Sequence, residues 1–275
     1  MVKKSVTEFV LRPFEGLPGE ADWVALREVV PAATATARTT PEHGAHDVLV
    51  VTTLPAGWRA LHRTDGVVLL AVQGLAGSGD LSRDLAADLL TALAAEPGTS
   101  VSGGGLPEPG PRLQDVLDPG VPFEVTVHDD FAFWLDPAEK ITPEIKQSLE
   151  AAAEEIIPTV KLESVDSAYL ATFGAKRYLR WAWSADEDAL IDAIARLHAK
   201  RESALGASRF LGAFRSCGIV VPVWDIVPGT SVEQVEQDAV ALGGRLEAAL
   251  AVTDPLTADE RRARAGIVSR QLTLR

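Results

Sequence analysis

Cysteine is almost absent from this chain: 275 residues include one, Cys217. A single cysteine cannot form a disulfide within the chain, which excludes the class of small secreted domains held together by disulfides. Cys217 opens the apolar stretch Cys217-Gly-Ile-Val-Val. A small buried hydrophobe is the usual role of cysteine in such a stretch, so we expect a buried thiol that reacts slowly with thiol reagents.

Long apolar runs are also missing. No stretch reaches the roughly 18 uninterrupted apolar residues that a membrane-spanning helix requires. The opening Met1-Val-Lys-Lys leads into Ser5-Val-Thr-Glu without the apolar segment of a secretory signal peptide. We therefore expect a cytoplasmic protein without a membrane partner.

Positive charge is scarce relative to negative charge. Lys and Arg together number 26 against 39 Asp and Glu, which gives a formal net charge of -13. An acidic surface repels phosphate backbones, so nucleic acid is a disfavoured partner. The hydrophobic content of 47% is enough for a substantial core and excludes a chain that is disordered throughout.

Signatures of the common catalytic classes are missing as well. The sequence contains no G-x-S-x-G nucleophile elbow, no G-x-G-x-x-G dinucleotide fingerprint and no G-K-[ST] phosphate loop. The loop Gly74-Leu-Ala-Gly-Ser-Gly-Asp80 precedes a predicted helix, but Asp80 and Asp84 would oppose a phosphate there, which favours a flexible loop capped by Ser82. We predict no cofactor, and the sequence leaves open whether the chain is an enzyme.

Periodicity and turn residues predict an α+β fold with two α-β-β-α halves. The predicted boundaries are an N-terminal half over 1–96, a Pro/Gly-rich linker over 97–122 and a C-terminal half over 123–275. The first half contains a helix that stops at Pro31, paired strands over 47–54 and 66–74, and a helix from Ser82. The second contains a strand over 123–135, a helix from Thr142 to before Pro158, extended segments over 163–173 and 176–184, and a helix from Ser184.

The repeated element order indicates an internal duplication, in which residues 20–95 and 143–199 would superpose with the same strand order. Beyond the second half, the pattern predicts a C-terminal extension that is mainly helical. Its predicted elements are a helix over 203–216, a strand over 219–226, and capped helices over 230–250 and from Thr257.

Long segments at both ends of the chain carry a family resemblance. They are Phe9-Val-Leu-Arg-Pro-Phe-Glu-Gly-Leu-Pro-Gly-Glu, Trp23-Val-Ala-Leu-Arg-Glu-Val-Val-Pro, Gly218-Ile-Val-Val-Pro-Val-Trp-Asp and Thr257-Ala-Asp-Glu-Arg-Arg-Ala-Arg-Ala-Gly. Together they resemble an actinobacterial domain family of unknown function, over essentially the whole chain. The resemblance implies no activity. Members of that family often carry an N-terminal SEC-C type zinc motif, which a chain whose one cysteine is Cys217 does not contain.

Two histidine clusters contain residue types that bind metals or transfer protons. His128, Asp129 and Asp130, with Asp136 nearby, combine an imidazole with carboxylates. On a strand, His128 and Asp130 share a face while Asp129 lies on the other, so polar residues at a strand end are the alternative. The loop His43-Gly-Ala-His46-Asp47 carries two imidazoles and a carboxylate, for which an ordinary surface loop is the alternative.

The segment Arg177-Tyr-Leu-Arg-Trp-Ala-Trp183 concentrates residues that dominate protein interfaces. Arg177, Trp181 and Trp183 lie on one face of the predicted strand and Arg180 on the other. The two tryptophans predict either a stacking platform for a ligand or the core between sheet and helix. The C-terminal arginines, Arg261, Arg262, Arg264, Arg270 and Arg275, predict either a salt-bridging helix face or a docking surface for an acidic partner.

These patterns favour a non-catalytic module that binds a protein partner, with Arg177, Arg180, Trp181 and Trp183 as candidate binding residues. The alternative is a metal-assisted hydrolase that uses His128, Asp129 and Asp130. The identity of the ligand and the oligomeric state are left open.

Overall fold

The computed structural model describes residues 8–74, 77–103 and 110–269. They form an α+β fold with a C-terminal helical portion, as predicted. The chain divides into two compact units between Ile156 and Ile157. The linker predicted over 97–122 lies within the first of these units.

The N-terminal unit is built on one sheet. Its helices and strands are α1 (Glu20–Glu28), β1 (Ala33–Arg38), β2 (Asp47–Val51), β3 (Ala60–His62), β4 (Val68–Ala71), α2 (Leu81–Ala94), β5 (Thr99–Val101), α3 (Leu113–Val116), β6 (Val125–Val127) and α4 (Pro143–Ala153). The strand order among the described residues is β5-β3-β4-β2-β1-β6. Strands β2 and β4 pair, as expected, but in parallel, and the other neighbours run antiparallel.

Local chemistry explains where several of these elements begin and end. Helix α1 stops short of Pro31, which cannot continue a helix. Helix α2 begins after Asp80, whose side chain accepts a hydrogen bond from the amide of Arg83, so Asp80 and not Ser82 is its N-cap. Helix α4 begins as predicted, with Thr142 as N-cap and Pro143 in the first turn.

The C-terminal unit contains an antiparallel sheet and three helices among the described residues. Its elements are β7 (Thr159–Lys161), β8 (Ala168–Phe173), β9 (Lys176–Trp181), α5 (Glu187–Ala199), β10 (Arg209–Ser216), β11 (Ile219–Ile226), α6 (Val232–Leu250) and α7 (Ala258–Ser269). The strand order is β10-β11-β9-β8-β7. Residues from β8, β9, β10 and β11 pack with α5, α6 and α7 in one hydrophobic core.

One prediction about this unit is wrong, and another, which concerns both units, is not confirmed. Residues 209–216 form strand β10 instead of a helix, because Phe210 and Phe214 belong to an extended segment that pairs with β11 along its length. The internal duplication is not confirmed: the first unit contains the parallel pair β2–β4, whereas every pair in the second sheet is antiparallel. Similar element order therefore conceals different strand pairing.

Ion pairs attach the last helix to α5. The guanidinium of Arg264 in α7 lies 2.5 Å from the carboxylate of Asp188 (Nη2 to Oδ1) and 2.6 Å from that of Asp192 (Nε to Oδ1). Arg196 of α5 forms a buried pair with Glu260 at 3.4 Å. Across the described part of the chain, the helices are too short or too polar for any to cross a membrane.

Candidate functional site

His128 lies at the end of β6 and is held there by its own neighbours. Its Nε2 is 2.9 Å from the hydroxyl of Thr34, and its ring packs 5.1 Å from that of Phe133. Burial lowers the pKa of the His128 imidazole, although the charges of Asp130 and Asp129 act in the opposite direction. Asp129 and Asp130 are exposed, and Asp130 accepts a hydrogen bond from the amide of Ala132. His128 is thus a partly buried residue that closes the strand end.

This arrangement gives no geometric support to the metal-site hypothesis. Within residues 8–74, 77–103 and 110–269, no group of three or more His, Cys, Asp or Glu side chains is placed to hold a metal ion. The finding applies to His128, Asp129 and Asp130, and equally to His43, His46 and Asp47. His43 instead contacts Thr40, with 3.1 Å between Nδ1 and the hydroxyl, and the Asp47 carboxylate pairs with Arg38. Both clusters consist of local polar contacts.

Trp181 is a core residue, the second of the two predicted roles. It is 4% exposed, and its indole N–H donates to the carbonyl of Asp166 at 2.9 Å. Helix α6 approaches closely at Gly243, where an added Cβ would stand 3.3 Å from the Trp181 ring. The ring is therefore enclosed between strand β9 and helix α6 and offers no open face to a partner.

The other three candidate binding residues also have internal roles. Trp183 is half-buried against the same core, with its ring 5.1 Å from that of Trp181. Arg177 donates to the carbonyl of Thr230, and the guanidinium of Arg180 lies 4.9 Å from the centre of the Phe173 ring. Arg177, Arg180, Trp181 and Trp183 thus do not form an open aromatic platform.

The C-terminal arginines that the structure describes form the predicted ion pairs, whereas Cys217 is not buried as predicted. Arg264 and Arg262 pair with aspartates, which fits the salt-bridging helix face; Arg270 and Arg275 lie outside the described residues. Cys217 is only partly buried, contrary to expectation. It stands with φ 48° in the two-residue turn between β10 and β11, so it belongs to the turn and not to the apolar strand.

A groove in the N-terminal unit brings together residues that, apart from Asp136, the sequence does not mark as part of a site. It has a volume of about 360 Å³ and lies between strand β3, the turn after it, and the segment that follows β6. Its lining residues are Leu61, Arg63, Thr64, Gly98, Trp134, Asp136, Ala138 and Glu139. In size it falls in the range of small-ligand pockets.

Trp134 forms the aromatic wall of this groove. Its ring stacks on Phe131 with centroids 4.3 Å apart and planes 12° from parallel, and its indole N–H donates to the carbonyl of Thr53 at 2.8 Å. Trp134 and Leu61 also pack against a cluster of buried residues from β2 and β4. The wall is thus fixed by the core beneath it.

Arg63 fastens the two sides of the groove together. Its side chain is only 10% exposed, and its guanidinium donates to the carbonyl of Leu135 at 3.0 Å and, at 3.5 Å, to that of Phe133. The remaining donors, Nε and Nη2, go to the carboxylate of Asp65. Arg63 therefore has a structural role, and Asp65 balances its charge.

Asp136 completes the connection from the other side. Its carboxylate accepts hydrogen bonds from the hydroxyl of Thr64 and the amide of Ala138, and a further one from the amide of Asp65. The Thr64 hydroxyl, then the amides, lower the pKa of the Asp136 carboxyl, so it stays ionised. The groove is consequently formed before any ligand arrives.

Glu139 is the one lining carboxylate that no described residue engages through its side chain. It is exposed at the mouth of the groove, and only its backbone amide is bonded, to the carbonyl of Asp136. With Arg63 balanced by Asp65, Asp136 and Glu139 give the lining a net negative charge. The groove therefore combines one aromatic wall with an acidic rim.

Sequence reasoning missed this site because its two sides are about 70 positions apart in the chain: 72 residues separate Thr64 from Asp136. One signal was available. The segment Phe131-Ala-Phe-Trp134 places aromatic residues at adjacent positions, and strict alternation on a half-buried strand does not do this. In the structure a single 3-10 turn, Ala132–Trp134, replaces the end of the predicted strand.

Comparison with known proteins gives a family but no closer relative. No curated protein and no solved structure matches this chain. A family described as a family of unknown function, DUF5926, matches residues 13–275. Since the match covers nearly all of the sequence, the chain belongs to this family of unknown function.

Proposed function

We propose that this protein is a non-catalytic binding module that holds a segment of a protein partner in the groove at Trp134. The observation that carries the proposal is the groove itself, with its volume of about 360 Å³ and its lining of Trp134, Leu61 and acidic side chains. We also propose a cytoplasmic location, for which the single cysteine is the support.

Preorganisation supports binding in this groove. Association costs free energy for each side chain or loop that must become ordered, and a preformed site reduces that cost. Here Arg63 and Asp136 already join the turn after β3 to the segment after β6. Trp134 adds an aromatic side chain of the type enriched where interfaces gain most of their affinity.

The bonding of the polar groups favours binding over catalysis. A general acid or base needs a titratable group that can reach the substrate. The charged groups of Arg63 and Asp136 are instead occupied by their own loops. Glu139 is exposed, and the other lining carboxylate, Asp136, is engaged by the Thr64 hydroxyl and the Ala138 amide, so the two do not form an acid–base pair.

Selection of random 12-residue peptides displayed on phage tests this proposal. Selected peptides are measured by fluorescence polarisation against the wild type and against Ala138→Trp, which places an indole in the groove. Ala138 is exposed, and its contribution to the loop comes from its backbone amide, so the substitution leaves that hydrogen bond in place.

Ala151→Trp is the matched control. Ala151 is exposed on helix α4 and is absent from the groove lining, so the variant adds the same side chain elsewhere on the unit. We expect selected peptides to lose at least ten-fold in affinity with Ala138→Trp and to bind Ala151→Trp like the wild type. Peptides that bind both variants equally well, or a selection that yields no binder, would contradict the proposal.

A further inference from the structure

We infer that the groove recognises a basic side chain, lysine or arginine, presented by the partner polypeptide. The inference rests on the proposed function and adds the chemistry of the partner. It depends on how the charges in the groove are balanced, on the aromatic wall, and on the net charge of the whole chain.

The charge balance leaves carboxylate unpaired at the rim. The three guanidinium nitrogens of Arg63 all donate hydrogen bonds within the protein, Nη1 to the carbonyls of Leu135 and Phe133 and the other two to Asp65. This guanidinium is therefore unavailable to an acidic ligand. Asp136 remains ionised within its hydrogen bonds. Glu139, which Lys140 follows in the sequence, forms no ion pair among the described residues. A cationic ligand is the complement of such a rim.

The aromatic wall fits the remainder of a long basic side chain. Lysine and arginine carry an apolar stem of methylene groups, which packs along apolar surface while the charged head stays in contact with polar groups. Leu61 and Trp134 supply that surface beside the carboxylates. An ammonium or guanidinium group near an indole ring gains further electrostatic attraction.

The charge of the whole chain acts in the same direction. A net charge of -13 attracts basic segments toward the protein and repels acidic ones. An acidic peptide would meet Asp136 and Glu139 without a free arginine to receive it. A purely apolar segment would gain no electrostatic attraction from the Glu139 carboxylate, so it complements the groove less well than a basic one.

Four synthetic mixtures of hexapeptides provide the probe. Each mixture is randomised at five positions and carries lysine, arginine, norleucine or glutamate at the third. Norleucine has the length of the lysine stem without its charge, so the comparison isolates the ammonium group. Affinities are measured against the wild type, Glu139→Gln, Glu42→Gln and Ala138→Trp. Glu42 is an exposed glutamate of the same unit outside the groove, which makes Glu42→Gln the matched control.

We expect the lysine and arginine mixtures to bind most tightly and to lose about five-fold in affinity with Glu139→Gln, the range of an exposed ion pair. Glu42→Gln should bind them like the wild type, and raising the salt concentration should weaken the lysine mixture more than the norleucine mixture.

The contrary outcomes separate the inference from the proposed function. The norleucine or glutamate mixtures could bind the wild type as well as the lysine mixture does and bind Ala138→Trp more weakly. In that case the groove binds peptides, but the preference for a basic side chain is wrong. If no mixture binds, or if binding is unaffected by Ala138→Trp, both the inference and the proposed function fail. Equal losses with Glu139→Gln and Glu42→Gln would assign the effect to net charge and overturn the inference alone.

Discussion

Replacing Asp88 by asparagine should stabilise the protein increasingly as the pH rises. Asp88 lies on helix α2, only 16% exposed, and its carboxylate is 3.7 Å from the guanidinium of Arg59. Burial raises the pKa of the Asp88 carboxyl from 3.8 to about 6; the Arg59 charge lowers it and the Asp84 charge raises it further. The fold therefore favours the protonated form of this side chain.

The sign and size of the effect follow from proton linkage. The pKa of this carboxyl is higher in the folded than in the unfolded state. Its ionisation therefore leaves the free energy of unfolding unchanged below pH 3.8 and lowers it by the full amount above pH 6. A shift of about 2 pKa units corresponds to about 3 kcal/mol. Because solvent reaches part of the side chain and screens it, we expect about 2 kcal/mol to develop between pH 4 and pH 8.

Urea unfolding at several pH values measures this directly. The free energy of unfolding of Asp88→Asn minus that of the wild type should rise by about 2 kcal/mol from pH 4 to pH 8, with most of the rise between pH 4 and pH 6. Taking the difference removes the contributions of the other titrating groups.

Glu42→Gln serves as the control for the removal of one carboxyl from the surface, since Glu42 is exposed. A difference for Asp88→Asn that is independent of pH, or that falls as the pH rises, would refute the reasoning. In that case the burial of Asp88 beside Arg59 and Asp84 does not disfavour its charge.

Three further predictions concern the second unit. Trp181→Ala should lower the free energy of unfolding by about 3–5 kcal/mol in urea, the cost of emptying a buried aromatic site, and a loss below about 1 kcal/mol would contradict its core position. Glu260→Gln should leave the buried Arg196 without its charge partner and lower the free energy of unfolding by about 2–3 kcal/mol. Amide hydrogen exchange in α7 should become faster, and unchanged exchange there would count against this pair. Cys217→Asn should raise the urea midpoint slightly, because asparagine tolerates the positive φ of the turn better, whereas a lower midpoint argues otherwise.

Elements with strong local chemistry were predictable from the sequence. Thr142 followed by Pro143 fixes the start of α4, and the apolar run between Gly218 and Val227 gives strand β11 with the predicted bounds. In these places side-chain capping, the fixed φ of proline and the content of β-branched residues act within a few residues. They depend little on the rest of the fold.

Pairing between distant strands was not predictable in the same way. The segments at Asp47 and Val68 read as adjacent strands, but β3 lies between them in sequence and allows them to run parallel. A helix was predicted over residues 203–216, where glycine, alanine and phenylalanine are frequent. Pairing with β11 instead holds Phe210 and Phe214 in an extended strand, with a register shift between Phe210 and Gly212.

The site depended on such long-range contacts entirely. His128 and the pair Trp181 and Trp183 drew attention because suggestive residue types are adjacent in sequence. Their surroundings are local hydrogen bonds or the core. The groove instead depends on Arg63 and Asp136, which become neighbours only once β3 and the segment after β6 have folded together.

The most direct test of whether the groove is the binding site is an NMR titration of the 15N-labelled protein with the tightest peptide from the display selection. We predict that the largest shifts involve the amides of Thr64, Gly98, Ala138 and Glu139 and the indole of Trp134, and that Ala138→Trp abolishes them. Large shifts confined to the second unit, around Trp183 for example, with the groove signals unmoved, would contradict the assignment of function to the groove.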